Sequence, residues 1–204
     1  MKRVIVTGIG VVSPLGNTLS EAWNSAKAGM SGIGLISRFD ASSIKWRVAG
    51  ELRAFDPGKY LSPKEVLRLD PFVHYAVAAA AQASEDAGFV KEGKGGVLEH
   101  AGVIIGSSRG GISTLEKSIV KSRLSPPAGV VNESLSRSRV SAYLMPATTI
   151  SMAASYVAQK IGLKGPCLGI SNACASGTNA IGEAYRYIRH GDLKTMFCGG
   201  AEAP

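Results

Sequence analysis

Four short apolar runs, "RVIVTG" (3–8), "AGVIIG" (101–106), "PCLGIS" (166–171) and "KTMFCGG" (194–200), constrain this chain more than any other feature. Their length suits strands of a covered sheet, and their glycines permit tight strand-to-helix turns. Helical patterns lie between them. Thr18 and Glu21 form a capping box ahead of a helix carrying Leu19, Ala22, Trp23 and Ala26 on one face. Asp70 caps a helix with Pro71 at its first position, running to Ala87 and stopped by Gly88. Ile150, Ala153, Ala154, Val157 and Ile161 stripe another that ends at Gly162, and Ala180, Ile181, Ala184, Tyr187 and Ile188 stripe one more. Such alternation predicts an α/β layer fold, with "RVIVTG" and "KTMFCGG" as buried strands. Residues from Met30 to about Pro63 read as loop with short extended pieces, and Lys121–Met145 as a long surface loop. No internal repeat or low-complexity linker interrupts the pattern.

A length of 204 residues suits one domain, 1–204, with room for a sizeable core. The formal net charge of +8 favours an anionic partner. Basic residues are scattered, however, and the one enriched stretch, Lys117 to Arg139, lacks the aromatic interleaving of a nucleic-acid surface. A solvated face or an acidic protein partner is the better reading, with no nucleic acid. Cys167, Cys174 and Cys198 have neither disulfide-framework nor zinc spacing. No signal peptide or membrane-length apolar run is visible, so the expected setting is cytoplasmic and reducing.

Two glycine-rich stretches invite nucleotide readings and fail on spacing. Ser13 takes the third glycine position of a dinucleotide fingerprint begun by Gly8 and Gly10. "GSSRGG" (106–111) lacks the Gly-Lys-Ser/Thr ending of a phosphate loop, so both are read as structural turns. Chemistry concentrates instead in "ISNACASGTNAIG" (170–182). A lone cysteine is commonly a small core residue. Cys174, however, lies between a strand and a helix start, where free N–H groups and the helix dipole stabilise a thiolate and could donate to an oxyanion. Ala173, Ala175, Ser176 and Gly177 leave room for a substrate carbonyl. Cys167 and Cys198 are expected in apolar strand settings, so Cys174 is the candidate nucleophile. His190 closes the helix that Cys174 begins, roughly 24 Å away by helical rise, and cannot pair with it. His74 and His100 read as surface or satisfied histidines. A cysteine hydrolase would need a positioned His, and none is visible.

Together with "RVIVTGIGVVSPLGN", "FDASS", "RLDPFVHYAVAAAAQASEDAG", "GVIIGSSRGG", "LMPATTISMAASYVAQKIGLKGP" and "CGGAEA", the "SNACASG" elbow closely resembles the elongating β-ketoacyl-acyl carrier protein synthases. The resemblance implies a thiolase-like fold, here its N-terminal half, a mixed sheet with helices packed on it. It implies a homodimer, acyl and malonyl thioesters delivered on an acidic acyl carrier protein, and no metal or cofactor. Cys174 matches the cysteine that accepts the acyl group before decarboxylative Claisen condensation, with Ser108, Arg109 and Ala173 in contact with substrate.

Three departures accompany the resemblance. The family's two catalytic histidines, its structural lysine and a Gly-Phe-Gly segment belong to a second half that these residues do not include. The chain is therefore expected to stop in mid-fold after "AEAP" and to be incomplete for condensation. The alternative is a natural non-catalytic half-protein that binds acyl carrier protein or a partner subunit. Arg109 stands where long-chain members usually carry an apolar gate to the acyl pocket. The Ser122–Arg139 loop is longer than the family pattern.

Overall fold

The computed structural model describes residues 3–89, 99–123 and 141–203. In chain order the elements are helix α1 (Leu19–Lys27), strands β1 (Gly34–Leu35) and β2 (Val48–Ala49), a 3-10 turn at Pro57–Lys59, and helices α2 (Pro63–Arg68) and α3 (Pro71–Asp86). Strand β3 (Ala101–Gly106), helices α4 (Ile112–Arg123), α5 (Leu144–Thr148) and α6 (Ser151–Ile161), strand β4 (Cys167–Ile170), helix α7 (Ser176–His190) and strand β5 (Thr195–Gly200) follow. This is the expected α/β class.

The main sheet is parallel, ordered β4-β3-β5, with Val103 opposite both Cys167 and Phe197. Strand β3 is buried along its whole length, because it alone has a neighbour on each side and helices over both faces. Its alternation sorts the layers. Val103 and Ile105 join Phe72, Val73, Ala76, Ala80, Ala153, Ala154 and Val157 in one core, formed with α3 and α6. On the other face Gly106 meets the first turn of α7: a Cβ there would lie 2.2 Å from the Ser176 carbonyl oxygen. Small residues on α3 and α6 let the two helices pack closely over the sheet.

Local signals account for the helix ends. Asp70 is fully buried; its Oδ1 accepts from the Phe72 N–H at 3.2 Å and its Oδ2 from the Thr114 N–H at 2.8 Å, tying α3 to α4. Gly88, Gly162 and Gly191 adopt left-handed φ at the ends of α3, α6 and α7. At α1 the Thr18 side chain accepts from the Glu21 N–H, but the Glu21 carboxylate reaches the Asn17 N–H and not that of Thr18, so the capping box is shifted by one residue.

Several expectations are corrected. "RVIVTG" is not a buried strand: residues 3–12 run without a ladder, and Ile5 and Val6 are 69% and 79% exposed. Their apolar run lacks strand neighbours among the described residues, and the segment that follows lies across α3 instead. The Ile9 N–H donates to Asp86 at 2.9 Å and the Val11 N–H to Gln82 at 3.2 Å, replacing sheet partners with side chains. Gly8 and Gly10 are close-approach positions rather than turn formers, since Cβ atoms there would fall 2.2 and 1.8 Å from the Ala83 and Ala79 carbonyl oxygens. "KTMFCGG" is a strand, yet only Phe197 within it is buried, because β5 is an edge strand among the described residues, paired with β3 alone. The stripe of α1 buries nothing. The reading of 121–145 as loop fails at both ends, where α4 reaches Arg123 and α5 starts at Leu144. The middle of that stretch, with most of the Ser122–Arg139 insertion, lies outside the described residues. No described helix is long and apolar enough to cross a membrane.

Candidate active site

The strand-to-helix elbow around Cys174 is built by backbone geometry that its small residues permit. After β4 the chain turns through Ala173, whose φ of 45° lies in the left-handed region and is unfavourable for a residue with a Cβ. Ser176, almost wholly buried, holds that turn. Its hydroxyl donates to the Ala173 carbonyl at 2.6 Å and accepts from the Asn172 N–H at 2.8 Å. The Ala175 N–H closes the elbow onto the Asn172 carbonyl at 3.0 Å. In sequence Ser176 reads only as a small neighbour; its clamp is tertiary in effect and local in position, two residues after the cysteine.

The elbow rests directly on the sheet. A Cβ on Gly177 would lie 3.2 Å from the Gly200 Cα, so the helix start and the end of β5 approach backbone to backbone. Cys174 projects from this platform, exposed and free, with no described hydrogen-bond partner. It stands two residues before α7, and the N-cap residue Ala175 makes no side-chain cap. The Ser176 N–H is taken by the Ala173 carbonyl at 3.2 Å, but the Gly177 and Thr178 N–H groups have no described partner, an arrangement suited to an anion or a developing oxyanion.

The other cysteines differ from it, though not wholly as expected. Cys167 and Cys198 lie in β4 and β5, but both residues carry exposed surface. Cys167 Sγ is 3.9 Å from the Ser155 hydroxyl, so its setting is not purely apolar. At Cys198, burial by surrounding protein pushes the thiol above its ordinary value even though part of the residue reaches the surface.

Of the histidines, His190 ends α7, far from the elbow, and His100 is exposed just before β3. His74 departs from the expectation of a surface or satisfied group. It is buried in the first turn of α3, and its Nε2 has no described hydrogen-bond partner. Burial lowers its pKa below the usual histidine value, against the opposing pull of Asp70 and a backbone bond at Leu69.

The "GSSRGG" loop joins the elbow from the side. The Ser171 hydroxyl donates to the Ser108 carbonyl at 3.3 Å, so Ser108 lies against the strand end leading to Ala173 and Cys174. Arg109 is exposed, which meets the requirement that an unpaired guanidinium reach solvent. Across the loop, Glu202 accepts from the Ser108 N–H at 2.7 Å and its hydroxyl at 2.9 Å. Glu202 belongs to the "CGGAEA" stretch, but nothing local points to this contact, since its partner is 94 residues away.

Comparison with known proteins identifies the family and the fold. The model of the β-ketoacyl synthase N-terminal domain matches residues 1–204. A 3-oxoacyl-[acyl-carrier-protein] synthase 2 of Synechocystis is 40% identical over 99% of this chain. The chain spans 46% of that relative's length. The ishigamide ketosynthase/chain length factor superposes with a TM-score of 0.84 at 24% identity, covering 98% of this chain and 47% of its own. A ketosynthase in complex with a type II polyketide-synthase acyl-carrier protein superposes at 0.76 with 21% identity, over 100% of this chain and 51% of its own. These likenesses fix the fold as that of the thiolase-like ketosynthases. With the domain match spanning every residue and a parallel sheet delivering its strand end into the Cys174 elbow, the chain belongs to the β-ketoacyl synthase family.

Proposed function

We propose that this chain supplies the acyl-accepting part of a β-ketoacyl-acyl carrier protein synthase, with Cys174 as nucleophile. The observation that carries the reading is the elbow itself: an exposed, unpartnered thiol beside a left-handed Ala173 and ahead of an uncapped helix. Cys174 gives up its proton and its thiolate attacks the carbonyl of an acyl thioester on acyl carrier protein; a new C–S bond forms, the carrier's C–S bond breaks, and the carrier leaves as a thiolate that takes up that proton. Malonyl thioester then loses CO2, and its carbanion attacks the acyl-cysteine, forming a C–C bond and releasing Cys174. Ala173 borders the reacting carbonyl, Ser108 lines the approach, and Arg109 stands at the acyl-pocket mouth, favouring short or polar acyl groups. No metal or cofactor takes part.

The net charge of +8 suits an acidic carrier protein, and the structural neighbour solved with an acyl-carrier protein supports that partner class. We place the protein in the cytoplasm, where three unpaired thiols stay reduced. A homodimer is supported by β4, which pairs on one side only among the described residues and presents an open strand edge to a second copy.

The test is an assay of acyl-enzyme, read by peptide mass spectrometry, kept separate from an assay of β-ketoacyl product. Acyl groups should appear on Cys174 and vanish in Cys174→Ala. No described histidine bonds the thiol, so residues 1–204 alone should give no condensation product. Arg109→Ile should extend acylation to longer chains. Acylation elsewhere, or product that depends on Cys174 in residues 1–204 alone, would overturn the respective assignment.

A further inference from the structure

Residues 201–203, just past β5, run alongside the loop that follows β3. The Ala201 N–H donates to the Gly106 carbonyl at 3.0 Å, and the Ser113 hydroxyl to the Ala203 carbonyl at 3.0 Å. Between these points Glu202 Oε2 collects three donors: the Ser107 hydroxyl at 3.3 Å, the Ser108 N–H at 2.7 Å and the Ser108 hydroxyl at 2.9 Å. The Ser107 hydroxyl also accepts from the Gly110 N–H at 3.1 Å, so one carboxylate organises the whole turn that carries Arg109. Charge-assisted bonds of this kind are about twice as strong as neutral ones. The second oxygen, Oε1, is buried without a described partner, and no described cation pairs with the carboxylate. Burying a carboxylate this way is costly, and a neutral apolar residue would serve simple packing better.

Two polar links join the held turn to the strand end before Cys174: the Ser107 N–H donates to the Ile170 carbonyl at 3.0 Å, and the Ser171 hydroxyl donates to the Ser108 carbonyl at 3.3 Å. Glu202, bonded to both Ser107 and Ser108, stands behind both links, and Ser108 and Ser171 lie in series with it on the second. We infer that Glu202 is a positioning residue, whose carboxylate fixes the Ser107–Gly111 turn and, through Ser108 and Ser171, the presentation of Cys174. It rests on the reading of Cys174 as acyl acceptor, but its test does not depend on acyl transfer.

The experiment measures iodoacetamide alkylation of Cys174 against pH in the folded protein, with Glu65→Gln as a destabilised control remote from the elbow. Glu202→Ala and Ser171→Ala should each change the alkylation rate by roughly threefold or more, and the double variant should go no further than the larger single change, because the groups lie in series. Glu202→Gln, whose amide oxygen still accepts from Ser108 but without charge assistance, should fall between the parent and Glu202→Ala. If Glu202→Ala does not fold, Glu202→Asp replaces it, since one methylene less withdraws the carboxylate from Ser108. An unchanged rate in Glu202→Ala or Glu202→Asp, additive effects with Ser171→Ala, or an equal change in Glu65→Gln would overturn the inference. Absence of acyl transfer in the parent protein would sink the proposed function and leave this coupling standing or falling by alkylation alone.

Discussion

His74 combines a titratable ring with a place that disfavours its charge. It lies near the start of α3, where exposed N–H groups oppose a cation, and burial lowers its pKa despite Asp70 nearby. The sign of the consequence follows from linkage. Above the unfolded pKa of about 6.5 both states are neutral and the residue is silent. As pH falls below that value the unfolded chain takes up a proton that the folded one resists, so stability declines toward the depressed folded pKa. Urea unfolding of His74→Gln should therefore depend less on pH between about 7 and 5 than the parent does. Parallel curves would show that His74 titrates alike in both states. From sequence the residue read as a surface or satisfied histidine, because the side of the cavity it lines with Thr114, Lys117 and Ser118 of α4 comes about forty positions later.

At the scale of elements, legibility follows the range of the interaction. The start of α3 was readable because Asp70 and Pro71 act within one turn, and the ends of α3 and α6 because Gly88 and Gly162 act on their own backbone. The strand-turn-helix elbow was readable for the same reason. "RVIVTG" was misread because an apolar run does not say whether its edges meet strands or its following residues meet the flank of a helix. Glu202 was missed because only the assembled fold brings its donors to it across 94 residues, whereas the clamp of Ser176 on Asn172 and Ala173 is local and was passed over because serine is common in turns. One long-range tie at this scale can be tested directly. Glu65 on α2 meets Lys160 on α6 at 2.8 Å while also completing the capping box with Ser62. The Lys160 bond first, and the Ser62 bonds after it, hold the Glu65 carboxyl at about 2. Its folded pKa is depressed, so the added stability is present above the unfolded value and is lost as pH falls toward about 2. Glu65→Gln should cost about 0.5–1 kcal/mol at neutral pH, as befits a partly exposed pair plus half a cap. The difference should shrink on acidification below about 4.5, the ordinary glutamate range. A gap independent of pH would mean that the lost cap geometry, not the charge, matters.

For the whole molecule the decisive contrast is between a well-covered β3 layer and faces that the described residues leave bare. The core of α3, α6 and β3 excludes water almost completely, yet Ile5, Val6, Leu168, Ile181 and Tyr185 all show substantial surface. They are spread over the N-terminal segment, the edge strand β4 and the outer side of α7. Helix α7 shows the contrast within a single element: Ser176, Ala180 and Ala184 are buried, while Ile181 is 55% exposed. Isolated exposed leucines and isoleucines are ordinary, but several large exposed side chains on a chain that also carries an unpaired strand edge among the described residues invite association. Transfer from water stabilises apolar contact by roughly 25 cal/mol per Å², while lost translational and rotational freedom costs about 4–15 kcal/mol, so association requires several of these side chains to be buried together. Residues 1–204 on their own should therefore self-associate at micromolar concentration, and light scattering on a size-exclusion column should show a mass above one chain. Val6→Asp combined with Ile181→Glu should shift the distribution toward the monomer while leaving the circular dichroism of the folded chain intact, because neither side chain joins the core. A monodisperse monomer of the parent chain across that range would show that these faces do not drive association.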